Sequence, residues 1–323
     1  MVAYRRTQHL QACLNSIHEQ TFQNFEVVIV DNDCPERCTE QIMLPDHRFK
    51  IVRANSNLGF AAGVNLGASG AKSEWIITLN PDAKARASWL QELVEASKSS
   101  PEFDMLGSTL LNAEEDSIVD GFGDVASIYG FFWRGGYGSL AADLPDENQE
   151  VFGACAAAAG YRREIFEKFG GFDEPYFCYL EDADLSFRFQ NANLRCLQVR
   201  DAIVLHFGGK SSDPEGRFSV SQTYKNNLRL IVRNAPALVL FPMILTYLTA
   251  QAYTIARNWR SPLTRTRLEG VWESFRLLPA AFSSRKNAQK YAVASSFRIV
   301  KRLTWRPSAL KRQQLVTFGP IIP

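Results

Sequence analysis

Four short apolar runs, set apart by segments of helical period, constrain the first third of the chain most. They are Phe25-Glu-Val-Val-Ile-Val-Asp31, Phe49-Lys-Ile-Val52, Glu74-Trp-Ile-Ile-Thr-Leu79 and Met105 to Leu111. Near-continuous apolar runs of this length suit strands buried on both faces, as central strands of parallel sheets are. Between them, Leu10, Cys13, Leu14 and Ile17 fall at helical spacing. Phe60 to Ala71 reads as a small-residue helix opened by Asn57-Leu-Gly, and Trp89 to Ser97 as another. Val2-Ala-Tyr4 is the stump of a first strand. Strands alternating with helices predict βαβ units, hence an α/β fold with a Rossmann-like, mostly parallel central sheet flanked by helices.

The pattern changes at residue 116. Six glycines between 121 and 138 are interleaved with Phe122, Tyr129, Phe131, Phe132, Trp133 and Tyr137. Irregular strands and loops are expected, with the aromatics either packed on the sheet or free to contact an acceptor. Order returns with a strand-like Val151 to Ala156, a short helix from Arg162 to Phe169, a helix from Glu181 to Ala192 and a strand from Leu194 to His206.

Composition matters chiefly for its asymmetry. Hydrophobic residues make up 46% of 323, enough for a substantial core. Residues 225–323 hold 17 Lys and Arg against two acids, whereas residues 1–224 hold 19 basic and 32 acidic residues. An acidic body of residues 1–224, itself dividing near 112, and a basic helical extension of 225–323 are expected. The extension would face an anionic surface. Residues 235–256 carry no charge over 22 positions, long enough to span a bilayer, yet include Pro236, Pro242 and Gln251. A membrane-surface helix, a buried core helix and a span all remain open. Downstream, Phe297, Ile299, Val300 and Leu303 alternate with Arg298, Lys301 and Arg302, a basic amphipathic pattern suited to anionic lipid. Nucleic acid is not expected, because no recognised nucleic-acid motif accompanies the basic tail. Six cysteines without a zinc-type spacing read as reduced, mostly buried thiols. Met1 to Arg6 has no apolar stretch of signal-peptide length, so a cytoplasmic location is expected, peripheral at the inner face of the membrane.

Carboxylates at strand ends are the candidates for chemistry. Asn80-Pro-Asp82 follows the strand ending at Leu79, and proline stops the ladder there. Asp82 thus sits at the carboxyl edge of the sheet, where open α/β sheets bind ligands. It could hold a divalent cation on a diphosphate or simply face the next helix dipole. Asp31 ends the second strand and could accept bonds from a ligand or form a turn. Glu181-Asp182-Ala-Asp184 begins a helix; a carboxylate there stays ionised at some expense in basicity, and is a candidate general base. His206 ends a strand in His206-Phe-Gly-Gly-Lys-Ser211, where a neutral ring nitrogen can ligate metal and Gly208 and Gly209 allow close approach of a phosphate, with contacts from Lys210, Ser211 and Ser212.

Six motifs in order resemble the family-2 glycosyltransferases of GT-A fold, over about residues 1 to 230. They are Val30-Asp31-Asn32, Asn57-Leu-Gly-Phe-Ala-Ala-Gly-Val-Asn65, Asn80-Pro-Asp82-Ala, Gly171-Phe-Asp173-Glu, Glu181-Asp182-Ala-Asp184-Leu-Ser-Phe-Arg188 and His206-Phe-Gly-Gly-Lys-Ser. The nearest likeness is to bacterial rhamnosyltransferase-like members that build cell-surface polysaccharides. The resemblance implies an inverting enzyme moving a sugar, rhamnose being the favoured one, from a nucleotide-diphosphate donor to a saccharide or lipid-linked acceptor. It implies that Ala3, Tyr4, Asp31, Asn57, Asn65 and Asp82 line the nucleotide site. Asp82 and His206 would hold Mg²⁺ or Mn²⁺, and Asp182 would be the catalytic base with Glu181 beside it orienting the acceptor. Two departures stand out. Asn80 replaces the first acid of the Asp-x-Asp motif. Family members also carry apolar residues ahead of the Ala3-Tyr4 pair, and often Asn where Arg5 stands, so an upstream start or a short first strand is expected. A nucleotidyltransferase and a non-catalytic nucleotide-sugar-binding protein are the rival readings; a processive synthase is disfavoured because Gln-x-x-Arg-Trp is absent. Self-association is left open.

Overall fold

Val2–Ala3 (β1), Val27–Asp31 (β2) and Phe49–Arg53 (β3) pair in parallel in that order. The computed structural model describes residues 1–5, 8–35, 37–208 and 216–319. Leu10–His18 (α1) buries Leu10, Cys13, Leu14 and Ile17, the face expected from spacing. Gly59–Ala68 (α2) lies close on this sheet: a Cβ on Gly63 would stand 2.8 Å from a Val2 methyl, so only glycine permits the approach.

The second sheet follows the order β10-β12-β6-β11-β4, with β5 added to β12 and β7 to β6. Its strands are Trp75–Leu79 (β4), Ala83–Ala85 (β5), Met105–Asn112 (β6), Val119–Gly121 (β7), Gln149–Val151 (β10), Ala158–Arg162 (β11) and Cys196–His206 (β12). Asp124–Ala126 (β8) and Phe132–Arg134 (β9) form a separate antiparallel hairpin. Trp89–Ser99 (α3), Arg163–Lys168 (α4) and Glu181–Asn191 (α5) complete this half.

The sheet is mixed. β6 and β12 run parallel, but β11 lies antiparallel between β6 and β4. β11 reads Ala-Ala-Gly-Tyr-Arg and lacks the β-branched residues that announce a strand. The strand-like reading of Val151 to Ala156 holds only at its first residue, where β10 ends. In the aromatic segment, Phe122 and Trp133 are buried, Tyr129, Phe131 and Phe132 half-buried, and Tyr137 exposed. Packing therefore accounts for most of these rings, as when Phe132 meets Phe187 of α5.

The tail wraps onto this body. Arg217–Asn234 (α6), Ala237–Arg257 (α7), Thr264–Arg276 (α8), Leu278–Ala288 (α9), Ser296–Arg302 (α10) and Pro307–Arg312 (α11) follow in order. Position 224/225 falls inside α6, whose residues Asn226 to Asn234 are buried. Leu228, Ile231, Met243, Tyr247, Ile299 and Leu303 share one core with Ala126, Tyr176 and Phe187. The basic amphipathic pattern near 300 is thus turned inward: Ile299 and Leu303 are buried, and Phe297 alone of its four apolar residues is exposed. α7 buries Val239, Met243, Tyr247, Gln251 and Ile255 along one stripe and exposes Leu238, Phe241, Leu245 and Tyr253 on the other. Helix α7 is apolar and long enough to cross a membrane, yet one face is packed on protein. All six cysteines are free thiols, four of them buried.

Candidate active site

Asp82 and His206 meet because of backbone register. After Pro81 interrupts β4, the chain returns as β5 and pairs antiparallel with the end of β12, setting Ala83 opposite His206. The Phe207 N–H donates to the Asp82 carbonyl at 3.0 Å. The His206 ring then lies with Nε2 3.5 Å from Asp82 Oδ1 and 3.3 Å from the Asn80 side-chain nitrogen. Its Nδ1 lies 2.8 Å from Asp120 Oδ2. Burial alone would disfavour a charged imidazole, but the two carboxylates outweigh it and raise the pKa to about 9.

Asp120, on β7, also accepts a hydrogen bond from Arg134 of β9. Burial pushes its pKa up, but His206 and Arg134 together hold it below the ordinary carboxylate value. The charge of Arg134 also favours ionisation of Asp124 and Asp182. Arg134 therefore stands between the Asp82–His206 pair and a second acidic group.

That second group begins α5. The turn before the helix is strained: Phe177, Tyr179 and Leu180 have φ of 64°, 69° and 70°, all in the left-handed region. The Asn226 amide of α6 holds it, donating to the carbonyls of Tyr176, Cys178 and Tyr179 at 2.8–3.0 Å. Asp182 accepts from Ala156 N–H at 3.0 Å and Ala183 N–H at 2.8 Å. Burial still raises its pKa above the ordinary carboxylate value. The expected helix-terminus effect is therefore outweighed, which brings Asp182 closer to the range of an effective general base. Glu181 is 4% exposed with Oε2 unpartnered; burial, then the Asp182 charge, raise its pKa strongly. Asp124 is raised likewise by burial and by Asp182.

The remaining expected nucleotide-site residues have evident partners. Asp31 accepts from Cys34 N–H at 3.1 Å and from the Thr39 hydroxyl, with Arg53 at 3.9 Å. It closes the loop after β2, and among the described residues its side-chain hydrogen-bond partners are in that loop. Asn57 Oδ1 accepts from the Asn32 amide at 2.9 Å and Gly59 N–H at 3.0 Å, fixing the entry to α2. Asn65 exchanges two bonds with the Phe172 backbone, at 2.8 and 3.0 Å. The Ala3 carbonyl accepts from Asn32 N–H at 3.0 Å, and Tyr4 is half-buried with Arg5 beside its ring. Gly209, Lys210, Ser211 and Ser212 lie outside the described residues.

Sequence reasoning missed Asp120, Asp124, Arg134 and Asn226. The first two flank the glycine-rich stretch Asp120-Gly-Phe-Gly-Asp124, a signal that acids there are held on a short, sharply turning segment. Among the described residues no three His, Cys, Asp or Glu side chains form a ready metal cage. Asp82 and His206 still suit a hard divalent cation that takes its other oxygens from a diphosphate and water.

The architecture is that of the GT-A glycosyltransferases. GalNAc-T7 in complex with UDP, GalNAc and Mn²⁺ superposes with a TM-score of 0.58 at 16% identity, over 87% of this chain and 55% of that one. The mannosyltransferase PcManGT of Pyrobaculum calidifontis, with GDP-Man and Mn²⁺, superposes at 0.51 and 15% identity over 93% of this chain and 85% of that one. Residues 1–170 match the family described as Glycosyl transferase family 2, and the chain belongs to it. It is 25% identical over 233 residues to N-acetylglucosaminyl-diphospho-decaprenol L-rhamnosyltransferase of Mycobacterium tuberculosis, covering 65% of this chain and 76% of that protein. It is 28% identical over 207 residues to the O-antigen biosynthesis protein RfbC of Myxococcus xanthus, covering 61% of this chain but 16% of that protein.

Proposed function

We propose that this chain is an inverting, metal-assisted glycosyltransferase of surface-polysaccharide synthesis, moving a hexose, rhamnose first, from a nucleotide diphosphate to a lipid-linked saccharide. The observation that carries it is the pairing of Asp82 with His206 by β5–β12 register, joined through Arg134 to the buried acids at the start of α5. Asp82 and His206 would hold Mg²⁺ or Mn²⁺, with Asn80 beside them adding at most a neutral ligand. A divalent cation there offsets the negative charge that develops on a departing diphosphate. Asp182 takes the proton of the acceptor hydroxyl while that oxygen attacks the anomeric carbon. The bond to the diphosphate breaks on the opposite face, so one displacement inverts configuration. The relatives named for rhamnosyl transfer and O-antigen biosynthesis support the substrate class.

A thermal-shift panel of UDP-, GDP- and dTDP-sugars, each with and without Mn²⁺, tests the donor. The true donor stabilises by mass action, about 2.7 kcal/mol at a hundredfold excess over Kd. Stabilisation by no nucleotide sugar would end this reading.

The tail supports work at a lipid surface. Among the described residues, twelve of the seventeen large apolar side chains left exposed lie beyond residue 225, including Leu238, Phe241 and Leu245 of α7 and Leu268, Trp272 and Phe275 of α8. Their helical spacing puts each set on one face, within a segment of strong positive charge. The full chain should sediment with anionic phospholipid vesicles and less with neutral ones. Replacing Phe241 and Trp272 together by Ser should weaken partitioning by at least about 100-fold, from roughly 1.5–3 kcal/mol for each fully inserted side chain. Unchanged partitioning would defeat the assignment, and a tight dimer without vesicle binding would give this face to a second copy.

A further inference from the structure

A carboxylate that cannot reach a ligand itself stands behind His206. Asp120 is 5% exposed and lies on the Nδ1 side of the ring, whereas Asp82 lies on the Nε2 side. The two imidazole nitrogens point away from one another, so Asp120 cannot share a cation held by Nε2 on the Asp82 side. Asp120 has its place through a fault in the sheet. Gly121 pairs with Leu110 and Val119 with Leu111, so Asp120 is the extra residue of a β-bulge in β7, where it pairs with β6. Bulges beside active sites re-aim a side chain, and this one stands next to the end of β12, where Asn112 of β6 is opposite His206. Arg134 holds the same carboxylate oxygen that faces the ring.

We propose that Asp120 is the positioning residue of the metal site: it fixes the His206 ring so that Nε2, and not a ring carbon, faces Asp82. The inference rests on the metal role given above to Asp82 and His206. A half-turn of the imidazole about its Cβ–Cγ bond would put carbons where both nitrogens now stand. The Nδ1–H to Asp120 bond opposes that turn and leaves the Nε2 lone pair to the ligand side once its proton is displaced. Because Asp120 and Arg134 belong to the glycine- and aromatic-rich segment, that segment, and not β12 alone, sets the ring.

The test is Mn²⁺ binding to the full chain, followed by the electron paramagnetic resonance of the free ion, without donor or acceptor. His206→Ala should weaken binding most. Asp120→Ala should weaken it about 10- to 100-fold, the usual effect of losing such a partner. Asp120→Asn should weaken it less, because its amide oxygen still accepts from Nδ1–H. Asp120→Ala binding within twofold of wild type, while His206→Ala is impaired, overturns the positioning role alone. His206→Ala binding as wild type removes the metal reading and this inference with it. If Asp120→Ala does not fold, ¹⁵N-histidine-labelled wild type decides. An exchange-protected Nδ1–H resonance that disappears in His206→Ala supports the bond, and its absence refutes it.

Discussion

Asp182→Asn lowers sugar transfer by about 10²- to 10⁴-fold, the contribution of a positioned general base, and leaves donor affinity unchanged. The amide has no lone pair basic enough to take a hydroxyl proton, but it nearly matches the carboxylate in shape. One of the two backbone N–H groups, Ala156 or Ala183, still finds an oxygen; the other meets an NH₂ group. The resulting loss of stability is about 1–3 kcal/mol, small beside the loss of rate. The neighbouring acid gives the control. Burial and the Asp182 charge raise the Glu181 pKa strongly, so it holds its proton more tightly than a free carboxyl does, and no acceptor proton is assigned to it. Glu181→Gln therefore leaves transfer within about tenfold of wild type. The pH profile follows in sign: burial raises the Asp182 pKa, so kcat/KM falls as pH drops through a value above that of a free carboxylate. In Asp182→Asn this acid limb disappears. Steady-state transfer across pH, with donor binding measured separately, decides the matter. Full activity in Asp182→Asn, or equal losses in both variants, would remove the base from this position.

The parts of this fold and site that a sequence displays are those set by local pattern. β2, β4 and β6 read as apolar runs because they are buried or half-buried, and β3 because its apolar residues pack on β2 although it lies at the sheet edge; the breaks after Asp31 and Leu79 mark the carboxyl ends of β2 and β4. Asp82 and His206 each declare themselves as polar groups at strand ends, but nothing in either motif says that β5 folds back on β12 and sets them side by side. β11 stays hidden because a strand between two neighbours in a tightly packed layer can be Ala-Ala-Gly. Small side chains serve where Gly160 lies against Leu106, and they carry no alternation. Asp120 is hidden for another reason. Its direction depends on one extra residue in a three-residue strand, and no periodicity reports a bulge. The charge balance of the tail is visible, but its division between surface and interior is not. Arg229 and Arg233 count as basic residues in any composition, yet both are buried and paired with acids of the body. The tail's positive charge is thus partly internal, and the patch available to an anionic surface is smaller than the sum.

Asp184→Ala destabilises the fold by about 3–5 kcal/mol, as expected when one member of a buried ion-pair network is removed. Asp184 is fully buried. One carboxylate oxygen accepts from Arg188 of its own helix at 2.8 Å; the other accepts from Arg233 at 3.1 Å, Asn234 at 2.7 Å and the Tyr176 hydroxyl at 3.1 Å. Alanine leaves Arg188 without its carboxylate, and Arg233 with Asp173 alone, at 3.2 Å. The damage spreads past the pair because this carboxylate joins α5, which carries Asp182, to α6, which carries Asn226. Loosening α6 frees the Asn226 amide that restrains the strained turn at 177–180, so the start of α5 should lose protection from hydrogen exchange first. The pH dependence has a definite sign. The arginines hold the Asp184 carboxyl down to about 2 from 3.8, although burial alone would raise it. Its contribution is therefore complete above the unfolded value and is lost as pH falls through the folded one. Wild type should accordingly lose stability between about pH 4 and pH 2 more steeply than Asp184→Asn, which has no proton to take up there. Adding Arg233→Met to Asp184→Ala should recover part of the loss, because it removes one of the cations left buried. Denaturant unfolding of the three variants measures each term. A loss below about 1 kcal/mol in Asp184→Ala would mean that water or Asp173 compensates the arginines, and that the other contacts of α5 with the tail, such as the Asn191 amide donating to the Asn234 carbonyl, hold it in place.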